Sequence, residues 1–290
     1  MKNRVKLILC VIIALYLSVC QAVLSTPSSI FGRVFTFTAS ADYTPFLTPF
    51  EFSLRARFYT TFYSSSEERK HNISLASSAL NDYFLDSGKE FSFNEVVGER
   101  SEKNGYKNAK IISYGKFIDG VGGGVCQVST TLYNAVLLSG LRVTESHPHS
   151  LAVSYVAPSF DAMVSYNFAD LKFVNDTAFP IIIKAEANDY MLTISIYGQK
   201  MQEKYVRKST VTGELPAPEE EKFIDTENLY PELKEGEQKI VSYSKKGLIS
   251  EGSLIKIVNE KPVSIKKIRK DVYKGSKGLI VIKPNAQVSD

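Results

Sequence analysis

Hydrophobic positions near the start of the chain follow a strand pattern that later changes to helical spacing. Residues 34–63 are rich in Phe, Tyr and Thr, and short stretches of them alternate apolar and polar side chains, which predicts β-strands. Ser65 and Glu68 have the spacing of a capping box, so a helix is predicted to begin here. Its apolar face continues to about Leu85, and Gly88 is positioned to end it.

A second helix is predicted at residues 125–139, where apolar residues recur three or four positions apart and Gly140 follows as a C-terminal glycine. Beyond it the pattern predicts short strands at residues 151–156, 162–168, 171–174, 180–185 and 191–197. Helices embedded among strands, without a regular strand–helix–strand repeat, are typical of the α+β class. We therefore predict a mixed domain of helices and antiparallel strands at residues 34–198.

The composition changes after this domain. Residues 199–232 are polar and acidic, which predicts a linker. Residues 233–284 contain apolar runs separated by glycines and lysines, which predicts a small all-β module.

The overall composition is that of a globular protein. Of 290 residues, 44% are hydrophobic and 23% are charged, and the net charge is +4. So small a charge does not indicate binding to nucleic acid, although it is compatible with a polyanionic surface such as a bacterial cell wall.

The N-terminus has the pattern of an export segment. Residues 1–24 begin with basic residues and continue as an apolar stretch of about 18 residues. This pattern fits both a cleaved signal peptide and a signal anchor that stays in the membrane, and either places the rest of the chain outside the cytoplasm. Cys10 and Cys20 lie in this segment, so the exported part carries one thiol, that of Cys126.

The residues with the most reactive side chains are close together in sequence. Gly122, Gly123 and Gly124 lead directly into the second predicted helix, and Cys126 occupies its first turn. The positive end of a helix lowers the pKa of a thiol, and the free amides from Gly123 to Cys126 can stabilise an oxyanion. Gln127 is a candidate for a further donor. We interpret Cys126 as a candidate nucleophile.

A cysteine nucleophile needs a base, and the base needs a group that orients it. His147 and His149 follow Cys126 by roughly twenty residues, and Asp161 comes shortly after them. Either histidine is a candidate base, with Asp161 as the orienting carboxylate. Tyr155 lies between the histidines and Asp161 in sequence, and it is a candidate for the lining of a binding pocket.

Two other interpretations of these residues stay open. A lone cysteine is often buried and inert, in which case the glycine-rich pocket would bind a ligand without catalysis. Alternatively, Cys126, His147 and His149 could hold a zinc ion, although the chain has no Cys-x-x-Cys motif. The catalytic interpretation requires no cofactor and no metal.

Several motifs resemble the VanW family, which is named for a vancomycin-resistance gene cluster. The similarity covers about residues 55–198, and its most specific part is the block from Gly122 to Ala135. Further matching segments are residues 91–94, 98–100, 105–106, 149–150, 155–156, 161–162, 170–171 and 175–176. The resemblance implies an exported or membrane-anchored bacterial envelope protein, without implying a reaction. Residues 233–284 loosely resemble the module with five glycines that often follows this domain and is associated with wall sugars.

These observations lead to two hypotheses for an extracytoplasmic envelope protein. In the first, the protein acts on peptidoglycan or its peptide stems by thiol-dependent acyl transfer or hydrolysis, as an amidase or transpeptidase would. In the second, it is a non-catalytic cell-wall or ligand-binding module in which Cys126 is structural. A sulfur beside a histidine ring, at a cleft open to solvent, would favour the first hypothesis.

Overall fold

The computed structural model describes residues 51–113 and 116–285. The predicted export segment at residues 1–24 lies outside them, as does most of the predicted strand region at residues 34–63. Within the described part, no helix combines the length and the apolar character needed to cross a membrane.

The described residues form helices and strands in several small sheets. The helices are α1 (Glu67–Leu80), α2 (Phe93–Val97) and α3 (Val125–Leu138), with a short 3₁₀ turn at Glu102–Asn104. The strands before residue 200 are β1 (Ser53–Thr61), β2 (Tyr83–Leu85), β3 (Glu90–Ser92), β4 (Asn108–Ser113), β5 (Lys116–Val121), β6 (Arg142–Glu145), β7 (Lys172–Val174), β8 (Ile181–Ala187) and β9 (Met191–Gly198). The later strands are β10 (Glu203–Leu215), β11 (Glu221–Ile224), β12 (Gln238–Ser242), β13 (Gly247–Val258), β14 (Lys261–Tyr273) and β15 (Leu279–Ile282).

The main core lies between an antiparallel sheet and two helices. The sheet has the order β1–β9–β8–β2; α3 packs on β1 and β9, and α1 packs on β8. Every residue of α3 from Gln127 to Leu137 is buried, as expected for a helix with few charged positions that other elements surround. The first turn of α3, which carries Cys126, is therefore held from several sides.

The first predicted helix is shorter than its sequence pattern indicates. The residue that caps α1 is Ser66 rather than Ser65, and its hydroxyl accepts a hydrogen bond from the Arg69 amide at 3.3 Å. The helix ends at Leu80 because Asp82 has a φ of +63°, which a helix does not allow, and the chain continues into β2. The second predicted helix is confirmed to within one residue as α3.

The loop between β6 and β7 contains no strand at residues 151–156 or 162–168, where two were predicted. Side chains of α3 bind this loop in place of a neighbouring strand. Thr130 accepts a hydrogen bond from the Ala162 amide at 2.9 Å, and Asn134 donates one of 2.8 Å to a carbonyl of the same loop. A local sequence pattern contains no information about partners this distant in sequence. The two strands were therefore predicted wrongly.

Residues from Glu203 to Ile282 form two further sheets and no helix. Their orders are β10–β13–β14 and β11–β15–β12, and all pairs are antiparallel except β11 with β15. Two of these strands, β10 and β11, lie within residues 199–232, the range of the predicted linker. Leu254 of β13 is part of the main core, so this region packs directly against the first one.

The α+β class is confirmed in its coarse form, because helices and mostly antiparallel strands share one fold. Strands make up more of the described part than the sequence pattern suggests.

Candidate functional site

The glycine run positions the start of α3. Gly122 and Gly124 have φ values of +84° and +112°, which favour glycine. A Cβ on Gly123 would lie 2.7 Å from the Lys110 carbonyl oxygen, so only glycine lets the two backbones approach so closely. The chain therefore turns tightly against β4 before the helix begins at Val125.

Replacing Gly124 with alanine should destabilise the protein more than the same change at Gly88. Both residues have positive φ, but only at Gly124 would a Cβ meet other atoms, 3.0 Å from Ile73 Cγ1 and 3.1 Å from the Arg69 carbonyl oxygen. We expect Gly124→Ala to cost at least about 1 kcal/mol more than Gly88→Ala. Urea-induced unfolding of both variants measures the difference, and equal losses would contradict this account of the turn.

Cys126 lies in the first turn of α3 and is partly exposed. Its sulfur is 3.4 Å from the Val164 carbonyl oxygen. Burial would raise the pKa of this thiol, but hydrogen bonding and charge from His149, together with the charge of Arg100, bring the pKa below its ordinary value. The surroundings of the thiol thus favour the reactive thiolate.

His149 is the histidine that interacts with Cys126. Its side chain is 5% exposed, and its Nδ1 lies 2.7 Å from Asp161 Oδ2. Burial alone would lower the pKa of this imidazole, but the hydrogen bond to Asp161 and the nearby thiol raise the pKa to about 9. The pKa of the imidazole is thus raised and that of the thiol lowered, the directions that favour transfer of the thiol proton to His149.

Asp161 is only 1% exposed and accepts hydrogen bonds at both carboxylate oxygens. Oδ2 also accepts the backbone amide of His149 at 2.6 Å, and Oδ1 accepts Arg269 Nη2 at 3.0 Å and the Tyr273 hydroxyl at 2.5 Å. Burial would raise the pKa of this carboxyl, but His149, Arg269 and Tyr273 hold the pKa below its ordinary value. Asp161 is thus a charged, fixed partner for the imidazole of His149.

His147 lies apart from these three residues. Its side chain is 41% exposed, and its Nε2 is 2.9 Å from Glu145 Oε1. Among residues 51–113 and 116–285, no group of three or more His, Cys, Asp and Glu side chains is placed to hold a metal ion. The two histidines are therefore not equivalent, and the geometry favours His149 as the base.

The backbone amides at the start of α3 divide into two groups. The Val125 and Gln127 amides donate to the carbonyls of Gly122 and Gly124, at 3.1 and 2.9 Å. The Cys126 amide donates to no other residue of the described part. This amide, beside the sulfur at the positive end of the helix, is the one best placed to stabilise an oxyanion.

Gln127 is a predicted donor whose side chain is already engaged. It is buried; its Oε1 accepts Arg69 Nη2 at 2.7 Å, and its Nε2 donates to Thr60 Oγ1 and the Thr61 carbonyl, both at 3.0 Å. Its hydrogen bonds connect α3 to α1 and β1.

Tyr155, the other predicted binding residue, lies close to the thiol. Burial and the charge of Cys126 raise the pKa of its phenol, and the hydroxyl is hydrogen-bonded to Thr130. The phenol therefore stays neutral and can donate or accept a hydrogen bond.

Two arginines near Cys126 were not among the predicted site residues. Arg69 lies beside Gly124, and Arg100 lies beside Gly122, where a Cβ would be 2.9 Å from the Arg100 Cβ. Neither guanidinium has a carboxylate within ion-pair distance among the described residues, and burial lowers the pKa of both. The motif at residues 98–100 contained the signal for Arg100, whereas nothing in the local sequence distinguished Arg69.

A cleft of about 360 Å³ borders His149. Its lining residues are Ile112, Pro148, His149, Ser150, Met163 and Val272. A second depression, of about 390 Å³, lies at Tyr166 and Asp170 and is lined by none of the three residues Cys126, His149 and Asp161. Of Cys126, His149 and Asp161, only His149 lines the first cleft.

Fold and site together define a strand-rich α+β domain with a Cys–His–Asp arrangement at the start of its central helix. Residues 68–197 match the family described as VanW like protein. The chain therefore contains a VanW-like domain, which confirms the resemblance seen in the sequence.

Two curated relatives align with the chain. It is 41% identical over 152 residues to the "Uncharacterized protein YoaR" of Bacillus subtilis (strain 168), covering 52% of this chain and 50% of the relative. It is 27% identical over 140 residues to the "Vancomycin B-type resistance protein VanW" of Enterococcus faecalis (strain ATCC 700802 / V583), covering 46% of this chain and 50% of that protein. The chain thus spans about half the length of the curated relatives it matches.

Two solved structures of small domains also match part of the chain. The crystal structure of HP0197-G5 covers 28% of this chain and 99% of its own, with 18% identity and a TM-score of 0.15. The match to the IgA1 protease G5 domain covers 30% of this chain and 99% of that domain, with 18% identity and a TM-score of 0.18. These TM-scores are too low to support a statement about fold or function.

Proposed function

We propose that this protein is an extracytoplasmic envelope protein that catalyses thiol-dependent acyl transfer or hydrolysis on the peptide stems of peptidoglycan. The observation that carries the proposal is the His149 ring, which lies 2.7 Å from the buried Asp161 and whose hydrogen bonding and charge lower the pKa of Cys126. A cysteine that only fills space needs neither a base nor a carboxylate to orient that base.

In the first half of the reaction, the Cys126 thiolate attacks the carbonyl carbon of a peptide amide and forms a C–S bond. The carbonyl oxygen becomes an oxyanion, which the Cys126 amide stabilises. The His149 imidazolium then donates its proton to the amide nitrogen, the C–N bond breaks, and the amine leaves. The product is a thioester on Cys126.

In the second half, water or the amine of another stem attacks the thioester carbon, and His149 takes up the proton of the attacking group. The C–S bond breaks and Cys126 leaves as a thiolate, with His149 again protonated. Asp161 keeps the imidazole in one orientation during both proton transfers. Water gives hydrolysis, and an amine gives transpeptidation.

The choice of substrate rests on charge and on setting. Arg69 and Arg100, which have no carboxylate partner in the described part of the chain, suit a substrate with a free carboxylate, as stem peptides have. The VanW-like domain, the name of the Enterococcus relative and the predicted export segment at residues 1–24 all support an envelope location.

The first test is the pH dependence of Cys126 alkylation in the full chain, followed by mass spectrometry of the Cys126 peptide. We expect an apparent pKa below the ordinary value of about 8.5, because His149 and Arg100 favour the thiolate. In His149→Gln the apparent pKa should rise toward the ordinary value. His147→Gln is the matched control and should leave the profile unchanged.

Labelling that is slow at every pH and becomes fast only after unfolding would contradict the proposal. It would instead favour the non-catalytic binding module with a structural Cys126.

A further inference from the structure

We infer that strand β14 of the C-terminal region completes the candidate catalytic site, with Arg269 and Tyr273 as positioning residues that hold Asp161 in the orientation His149 requires. The inference rests on the proposed function of Cys126 and His149. It assigns a catalytic contribution to residues 108 and 112 positions beyond Asp161, outside the VanW-like match at residues 68–197.

The two carboxylate oxygens of Asp161 have separate partners. Oδ2 receives the His149 ring and backbone amide, while Oδ1 receives Arg269 at 3.0 Å and Tyr273 at 2.5 Å. Arg269 also donates to the Asp161 backbone carbonyl at 2.8 Å. With Oδ1 bound, the carboxylate cannot rotate about its Cβ–Cγ bond without breaking these bonds, so Oδ2 stays directed at the imidazole.

Arg269 is itself fixed by a second carboxylate. Its Nε donates to Asp271 Oδ2 at 2.7 Å, and the side-chain exposures are 13% for Arg269 and 3% for Asp271. Arg269 Nη1 is buried with no hydrogen-bond partner among the described residues. A buried donor left unsatisfied costs stability. The Arg269 guanidinium thus binds Asp161 and Asp271, while its Nη1 is left without a hydrogen bond in the described part of the chain.

The loop that carries Asp161 is held by the same C-terminal strands. The Tyr273 hydroxyl accepts the Ser159 amide at 2.7 Å, and the hydroxyls of Ser159 and Ser250 are 2.7 Å apart. Ser209 of β10 donates to the Pro158 carbonyl at 2.8 Å. The Tyr273 hydroxyl accepts a hydrogen bond from the Ser159 amide and donates one to the Asp161 carboxylate. One side chain therefore fixes both the position of the loop and the orientation of the carboxylate.

The test compares Tyr273→Phe and Arg269→Lys with Ser250→Ala, in the full chain. The Ser250 hydroxyl is hydrogen-bonded to Ser159 rather than to Asp161, so its removal reports on loop support without removing a hydrogen bond to Asp161. The first readout is the rate of Cys126 alkylation near neutral pH. We expect Tyr273→Phe and Arg269→Lys to slow labelling by about 10- to 100-fold, the effect typical of removing the partner that orients a functional histidine. Ser250→Ala should label at the wild-type rate.

The second readout does not depend on the thiol. An imidazole N–H held by a carboxylate gives a low-field proton signal in NMR spectra, which is assigned through its loss in His149→Gln. We expect this signal to weaken or vanish in Tyr273→Phe and Arg269→Lys and to persist in Ser250→Ala. Near-UV circular dichroism verifies that each variant is folded.

The outcomes separate this inference from the proposed function. Folded variants that keep both the wild-type labelling rate and the low-field signal would overturn the inference and leave the role of Cys126 intact. A wild-type thiol of ordinary reactivity would overturn the proposed function. In that case the low-field signal alone would decide whether β14 orients the Asp161–His149 pair.

Discussion

Replacing Cys126 with alanine should reduce acyl transfer from peptidoglycan stem peptides by about 10⁴-fold or more, the scale of loss when a catalytic nucleophile is removed. The physical reason is that no thioester can form, while the oxyanion donor and the base retain little activity on their own. The fold should survive, because the Val164 carbonyl is the one hydrogen-bond partner that the Cys126 side chain has outside the site among the described residues.

The measurement is mass spectrometry of purified full chain incubated with stem peptides, following both the released amine and a covalent adduct on Cys126. In wild type we expect an adduct whose mass equals that of the substrate minus the leaving amine. His147→Gln serves as the control with full turnover, because His147 is paired with Glu145 rather than with the thiol. Equal turnover by Cys126→Ala and wild type would exclude Cys126 as the nucleophile.

The second large effect is expected in stability, as a different pH response of wild type and Cys126→Ser. The pKa of His149 is about 9 in the folded protein, against an ordinary value of about 6.5. A group with a raised pKa stabilises fully below its unfolded pKa, and the contribution is lost as the pH rises through its folded pKa. If His149 acted alone, the free energy of unfolding would fall by as much as about 1.4 kcal/mol for each pH unit in that window. The total loss would be at most about 3 kcal/mol.

In the wild type, Cys126 compensates for this loss. Its pKa is lowered, so the thiol releases its proton at a lower pH in the folded protein than in the unfolded chain, where the ordinary pKa is about 8.5. The proton that the folded state gains at His149 is therefore offset by the proton that it gives up more readily at Cys126, so wild-type stability should fall less steeply with rising pH than the His149 contribution alone would predict. Cys126→Ser lacks the compensating thiol and part of what raises the pKa of His149, but it keeps the Asp161 hydrogen bond, so its stability should fall as the pH rises through the remaining raised pKa.

Urea unfolding at several pH values between about pH 7 and pH 8 measures both slopes. The double variant Cys126→Ser/His149→Gln is the control, since removal of the imidazole should flatten the curve again. If the wild type lost stability as steeply as Cys126→Ser, the thiol would have to be protonated, and the thiolate–imidazolium pair would be wrong.

Local sequence patterns predicted the elements that carry the nucleophile, though not the whole site. The spacing of Val125, Val128, Leu132 and Val136 placed α3 to within one residue, because a helix buried on all sides depends mainly on its own apolar positions. The glycine run and the order of Cys126, the two histidines and Asp161 were enough to name four candidate residues, with His147 and His149 as alternative bases.

What sequence patterns left open or missed depends on distant contacts. His147 and His149 have the same local pattern, and they are distinguished only in the fold, by their exposure and by their partners Glu145 and Asp161. The predicted strands at residues 151–156 and 162–168 gave way to a loop whose partners are polar side chains of α3. Arg269 and Tyr273 carry no signal in their own neighbourhood, since they alternate with exposed residues along an ordinary strand.

The contact between Gly252 and the Asp161 loop limits how such regions can be exchanged between related proteins. A Cβ on Gly252 would lie 2.8 Å from the Ser159 carbonyl oxygen, so β13 approaches the loop backbone to backbone. The family match ends at residue 197, but the surroundings of Asp161 are completed only at Tyr273. A chimera that joined this domain to another C-terminal module would lose the surface that covers Ser159 and Asp161. Residues 159–161 and the strands that contact them therefore form one structural unit, which must be exchanged as a whole.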